Sequence, residues 1–227
     1  MTTVAAPAEA ARLAALWRLL SLGFAPPTAD RVAEVETLAG ALAEIEPTPE
    51  LDAVLAAARS TELDGLSAQF SALFRGTVLV SPYEGSYEAD PIRQGRQMAD
   101  VAAFYRAFGA EAHGPSADRP DFVGCELEFL SFLELRGLVA VERDEDGAEL
   151  IEQIAASFLA DHAGRWLPAF FASVLEASAD AHFYRSLATL GGQVIAGELE
   201  RRGLEPAPLP PRRVRSIVER DTFACGA

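Results

Sequence analysis

The chain predicts an all-α, single-domain bundle of about nine or more helices, and three observations predict it. Apolar residues recur at helical spacing along most of the 227 residues. Proline, glycine and capping residues punctuate those runs at short intervals. Strand patterning is missing: Val78, Leu79 and Val80 form one short run with no partner strand in view, so the stretch from Thr77 to Pro91 reads as an ordered loop.

The elements follow in order. Residues 8–23 form an amphipathic helix with Leu13, Trp17, Leu20 and Phe24 on one side, ended by Gly23 and the Pro26-Pro27 pair. Thr28 caps a second helix running to about Glu46, and Thr48-Pro49 starts a third, to about Arg59. A fourth spans about Glu62 to Arg75, burying Leu63, Leu66, Phe70, Leu73 and Phe74, with Gly76 as its stop. Asp90 and Pro91 open a fifth, about Ile92 to Phe108, burying Met98, Val101, Tyr105 and Phe108. The sixth begins at Arg119, with Asp118 as N-cap, Pro120 in the first turn and Asp121 completing a capping-box-like pair. Asp146 caps a seventh, with Leu150, Ile151, Ile154, Phe158 and Leu159 inward, and Gly164 separates it from an eighth carrying Trp166, Phe170, Phe171 and Val174. A ninth runs from about Asp180 to Arg202, loosened by Gly191-Gly192. Residues 1–203 thus make one helical domain, and 204–227 a proline-rich, then basic, tail laid over the surface or weakly ordered.

Composition excludes several classes. Net charge is −15 and every basic residue is arginine, which argues against nucleic acid as partner and suits a cationic one. Solubility alone explains the acidity equally well. Two cysteines, Cys125 and Cys225, make no disulfide framework and fit a reducing compartment. The first residues lack a basic segment before an apolar one, and Arg12 and Arg18 interrupt the apolar run, so neither a secretory signal nor a membrane span is expected. A cytoplasmic protein without stable membrane association is the expectation.

Enzyme signatures are scarce. His113, His162 and His182 are too scattered for a metal site, Gly191-Gly192 is no phosphate loop, and no serine sits in a nucleophile elbow. One local conflict draws the eye: Glu126 lies on the apolar face of the sixth helix with Phe122, Cys125, Phe129, Phe132 and Leu133, while Gly124, Glu128 and Ser131 face away. It is either a functional carboxylate or a buried one paired to an arginine of a neighbouring helix. Tyr83, Glu84, Ser86, Tyr87, Glu88 and Asp90 crowd one loop, and Asp118 and Asp121 another. Rings there suit apolar residues of a peptide and carboxylates suit arginine, although the same groups could simply pin the loop.

Four motifs, PYEGSY (82–87), RQMADVAAFYRAFGAEA (96–112), RPDFVGCELEFLSFL (119–133) and IEQIAASFLADHAGRWLPAFF (151–171), occur in an order that resembles the TorD-like cytoplasmic chaperones of molybdenum oxidoreductases. Their wording is most similar to the chaperones of type II enzymes of the dimethyl sulfoxide reductase family, and the match covers about residues 10–200. The resemblance implies an all-helical chaperone with no catalysis, metal or cofactor of its own. It would hold the apo catalytic subunit, and in many members its N-terminal twin-arginine leader, until the molybdopterin guanine dinucleotide is in place. Where the family carries Pro-Asp-His, this chain has Pro120-Asp121-Phe122, so Asp121 carries over and a histidine-dependent step does not. The partner-binding set implied is Tyr83, Glu84, Ser86, Tyr87, Asp118, Asp121, Phe122 and Glu126. Nothing in the residues supports guanine nucleotide binding, and a monomer or a domain-swapped dimer is compatible with long helices. Other classes left open are a small helical redox or cofactor-binding protein using Cys225 or His162, and an acidic regulatory interaction module.

Overall fold

The computed structural model describes residues 6–75, 78–110, 119–143, 147–179 and 181–210. Among these, nine α-helical segments pack around one core: α1 (Pro7–Phe24), α2 (Ala29–Ile45), α3 (Pro49–Ser60), α4 (Leu63–Phe74), α5 (Pro91–Ala107), α6 (Val123–Glu142), α7 (Gly147–Phe158), α8 (Gly164–Ala177) and α9 (His182–Arg202). No strand occurs among the described residues; a single antiparallel bridge joins Tyr83 to Phe122. Three of the expected caps are made. Thr28 accepts from the Arg31 amide, Thr48 from that of Leu51 and Asp90 from that of Ile92. Asp146, Gly76 and Asp180 lie outside the described residues.

The central pair is α1 against α6. Ser21 Oγ donates to the Gly124 carbonyl and Ser131 Oγ to that of Ala14, both at 2.8 Å, so the two helices run antiparallel. This corrects the one-sided reading of α6. Gly124 and Ser131 are buried because α1 covers the face that the periodicity assigns to solvent, and only Glu128 is exposed there, paired with Arg18. A Cβ on Gly124 would stand 3.4 Å from the Ser21 carbonyl oxygen and closer still to Phe122, so the close crossing uses the missing side chain.

Two aromatic groups fill the interior. Phe24, Phe74, Phe170, Phe171 and Tyr184 stack where α1, α4, α8 and α9 meet. Tyr105, Phe129 and Phe158 pack where α5, α6 and α7 meet. Leu63 and Leu150, expected inside, are exposed, and Met98 is only half-buried.

Gly164 does not separate two helices. α7 passes into α8 through a five-residue π turn, Leu159–Ala163, and Gly164 lies where the widened turn brings the Leu159 carbonyl too close for a Cβ. Nor does Gly191-Gly192 interrupt α9: Gly191 gives space to the Phe171 ring, whose nearest atoms would lie 2.6 Å from an added Cβ. Beyond α9, residues 204–210 return over α8, with the Leu209 amide donating to the Arg165 carbonyl at 2.7 Å and Leu209 itself buried. Residues 211–227, with Cys225, lie outside the described part.

A buried ionic cluster ties α6, α7 and α9 together. The Arg202 guanidinium reaches Glu134 (3.0 Å), Glu152 (2.9 Å) and Glu198, and Arg201 also pairs with Glu198. Burial pushes the Glu134 carboxyl up and Arg202 pulls it back.

Candidate functional site: a loop sealed onto the central helix

The sixth helix starts at Val123, not at Arg119. Its N-cap is Phe122 in extended conformation, and Asp118 lies outside the described residues. The reason is tertiary. Residues 82–84 pair with 121–123: the Glu84 amide donates to the Asp121 carbonyl and the Val123 amide to the Pro82 carbonyl, both at 2.9 Å. Backbone that would otherwise begin a helix is engaged by the PYEGSY loop, which then closes in one 3-10 turn, Glu84–Tyr87.

Side chains seal this pairing. Asp121 accepts from the Gly85 amide through Oδ2 at 3.1 Å and from Arg119 through both oxygens, at 2.8 and 3.0 Å. The Arg119 guanidinium lies over the Tyr83 ring, 4.0 Å from its centroid. The Tyr83 ring also packs on Phe122, and Tyr87 packs on Trp166. Tyr105 donates from its hydroxyl to the Pro120 carbonyl at 2.9 Å.

Behind the pairing lies a buried polar seam. Glu84 and Glu126 are 0 % exposed and Asp121 is 1 % exposed. His162, in the π turn, places Nδ1 at 3.1 and 3.3 Å from the two Glu84 oxygens. Its Nε2 lies 3.4 Å from Asp100. Among the described residues no arginine stands beside Glu126. Its Oε2 accepts from the Trp166 indole at 2.9 Å, and its other oxygen makes no hydrogen bond to a described residue. Burial first, then the charge of Glu84, push the Glu126 carboxyl well above its ordinary range. The arginine pairing that was one of the two readings of Glu126 is found two turns on, at Glu134.

The expected site residues therefore separate into two layers. Glu84, Tyr87, Asp121, Phe122 and Glu126 are buried, whereas Tyr83 and Ser86 are half-buried at the surface. Sequence reasoning left Arg119, Tyr105 and Trp166 out of the site and considered His162 only for the redox alternative. A signal for two of them was present: Phe158, His162, Trp166 and Phe170 recur every four residues on one helical face. Arg119 stood inside a quoted motif, directly before Pro120-Asp121.

Next to this seam opens a groove of about 820 Å³ between α1, α2, α6 and the end of α5. Ala14, Leu38, Tyr105, Phe129, Phe132 and Leu135 line it, with Arg18 and Glu128 at its polar edge. Among the described residues no group of three or more His, Cys, Asp or Glu side chains could hold a metal ion, and no helix is long and apolar enough to cross a membrane.

Comparison with known proteins now bears on this geometry. The family model described as nitrate reductase delta subunit matches residues 37–172. The chain belongs to that family. The matched stretch contains the whole loop-and-seam arrangement. The selenate reductase assembly chaperone protein of Thauera selenatis is 35% identical over 146 residues, covering 63% of this chain and 72% of that relative. The chlorate reductase assembly chaperone protein of Ideonella dechloratans is 34% identical over 108 residues, 46% of this chain and 55% of the relative. A crystal structure assigned to a redox enzyme maturation protein of Archaeoglobus fulgidus superposes with a TM-score of 0.57 at 19% identity, covering 81% of this chain and 93% of that one, which shows the shared fold. The TorD-like resemblance read from the four motifs is thus the family likeness these comparisons return.

Proposed function

We propose that the chain is a non-catalytic, cytoplasmic assembly chaperone that binds the cofactor-free catalytic subunit of a molybdenum oxidoreductase, including its N-terminal leader, and holds it until cofactor insertion is complete. The observation that carries this reading is that the family match contains both the sealed loop and much of the apolar groove beside it. Assembly chaperones are the relatives found at 34–35% identity.

In this reading the apolar part of the client segment lies in the groove, on Phe129, Phe132 and Leu135. Glu84, Tyr87, Asp121, Phe122 and Glu126 position the loop that forms the neighbouring wall, and Tyr83 and Ser86 meet the client. Covering about 400 Å² of peptide gives on the order of 10 kcal/mol of gross apolar stabilisation. Ordering the peptide and losing rigid-body freedom offset several kcal/mol of that, leaving weak and reversible binding. A hold of that strength lets the export machinery take the leader afterwards.

The groove is tested by fluorescence anisotropy with a labelled leader peptide. Leu135 is 49% exposed, so Leu135→Glu leaves the fold intact while placing a charge on the groove wall. Binding should weaken at least about tenfold, the equivalent of roughly 1.4 kcal/mol. Unchanged affinity would remove the groove from the account.

A further inference from the structure

We propose that Asp121 and the face of Tyr83 form a guanidinium-binding site that the resting chain fills with its own Arg119, and that an arginine of the client segment takes Arg119's place. The proposal rests on the client-binding reading above and names the chemistry that this site would select.

The site is shown holding the group it would bind. Both Asp121 oxygens accept from the Arg119 guanidinium, at 2.8 and 3.0 Å, while the guanidinium carbon sits 4.0 Å above the Tyr83 ring. A planar fork on a carboxylate combined with stacking on an aromatic face suits arginine and not lysine. The two partners differ in mobility of environment. Asp121 has a side chain 2% exposed and is fixed from behind by the Gly85 amide, whereas the Arg119 side chain is 43% exposed. Arg119 can therefore swing into water without disturbing the pairing of residues 82–84 with 121–123, but the buried carboxylate it leaves needs another cation.

Position fits the same occupant. The Tyr105 hydroxyl holds the Pro120 carbonyl, and the Tyr105 side chain lines the apolar groove, so the guanidinium site abuts one end of it. An arginine with apolar residues beside it would engage both. Exchange of one guanidinium for another leaves the ionic contacts unchanged, so net binding comes from the groove. A segment without arginine would have to strip Asp121 of its partner. Arg119 thus acts as a placeholder that filters for arginine-bearing segments.

The test uses the full chain and two fluorescein-labelled dodecapeptides, one with adjacent arginines followed by leucine and phenylalanine, the other with lysines in their place. Arg119→Ala should bind the arginine peptide about tenfold more tightly than the parent, because the internal competitor is gone, and should leave the lysine peptide weak. Arg119→Gln keeps the stem over Tyr83 and serves if the alanine variant loses its helical circular dichroism. In the same variants, millimolar methylguanidinium chloride should raise the melting temperature, and Asp121→Asn added to Arg119→Ala should abolish that rise. Arginine-peptide affinity that stays the same or falls in both Arg119 variants would overturn the proposal, as would equal gains for the lysine peptide. Failure of the chaperone reading shows elsewhere, as a parent protein that captures no catalytic subunit.

Discussion

Replacing Glu126 with glutamine tests the protonation of the buried seam. The carboxyl is fully buried, accepts one hydrogen bond from Trp166 and has a second oxygen without a partner among the described residues. Glutamine keeps the shape and the acceptor. In the folded chain the carboxyl titrates well above its ordinary value of 4.5, chiefly through burial and then through Glu84. The sign follows from linkage. The folded state holds this proton more tightly than the unfolded state, so the stability tied to it is complete below about pH 4.5 and is lost as pH rises through the folded value. The loss is about 1.4 kcal/mol for each pH unit between the two values. Glu126→Gln removes that slope. Urea unfolding of both proteins from pH 5 to pH 8.5 should give stabilities within about 1 kcal/mol of each other at the acid end. The difference should then move steadily in favour of the variant as pH rises; taking the difference cancels the groups common to both. A variant destabilised by the same several kcal/mol at every pH would mean that Glu126 is an ionised carboxylate with a stabilising role, and would refute the protonated seam.

Other consequences follow from the packing. Arg202→Leu leaves Glu152 and Glu198 to the Arg201 guanidinium and removes the ion pair of Glu134, and should cost about 3–5 kcal/mol in chemical denaturation. Gly191→Ala places a Cβ 2.6 Å from Phe171 ring atoms and should cost about 1–3 kcal/mol, read as a lower melting temperature. Gly192→Ala, with nothing within 4 Å, should instead stabilise by about 0.5–1 kcal/mol in the same assay.

The helical architecture was legible because its signals are local. Thr28, Thr48 and Asp90 cap within two or three residues, and the apolar spacing of α1, α4, α5 and α8 needs no knowledge of neighbours. What could not be read depends on contacts between distant segments. The helix that Pro120 and Asp121 would begin is delayed to Val123 because residues 82–84 take their backbone groups, and no local rule records that competition. Gly124 and Ser131 look solvent-facing only until α1 is laid against them. The misfit of Glu126 pointed to the right place. Its partner was missed because an arginine is the usual answer for a buried acid, and here a tryptophan 40 residues on supplies the hydrogen bond. His162 stands in the π turn between α7 and α8, and its spacing from Phe158 and Trp166 marks the inner face without naming Glu84 as its partner.

The most direct test of the account is capture of the tagged full chain from its native cells, grown anaerobically with and without molybdate, followed by mass spectrometry and molybdenum assay of what co-purifies. The account predicts recovery of a molybdenum-oxidoreductase catalytic subunit, free of cofactor and enriched when molybdate is withheld. Capture of no such subunit in either condition would contradict the chaperone function, leaving the family's fold without the role proposed for it.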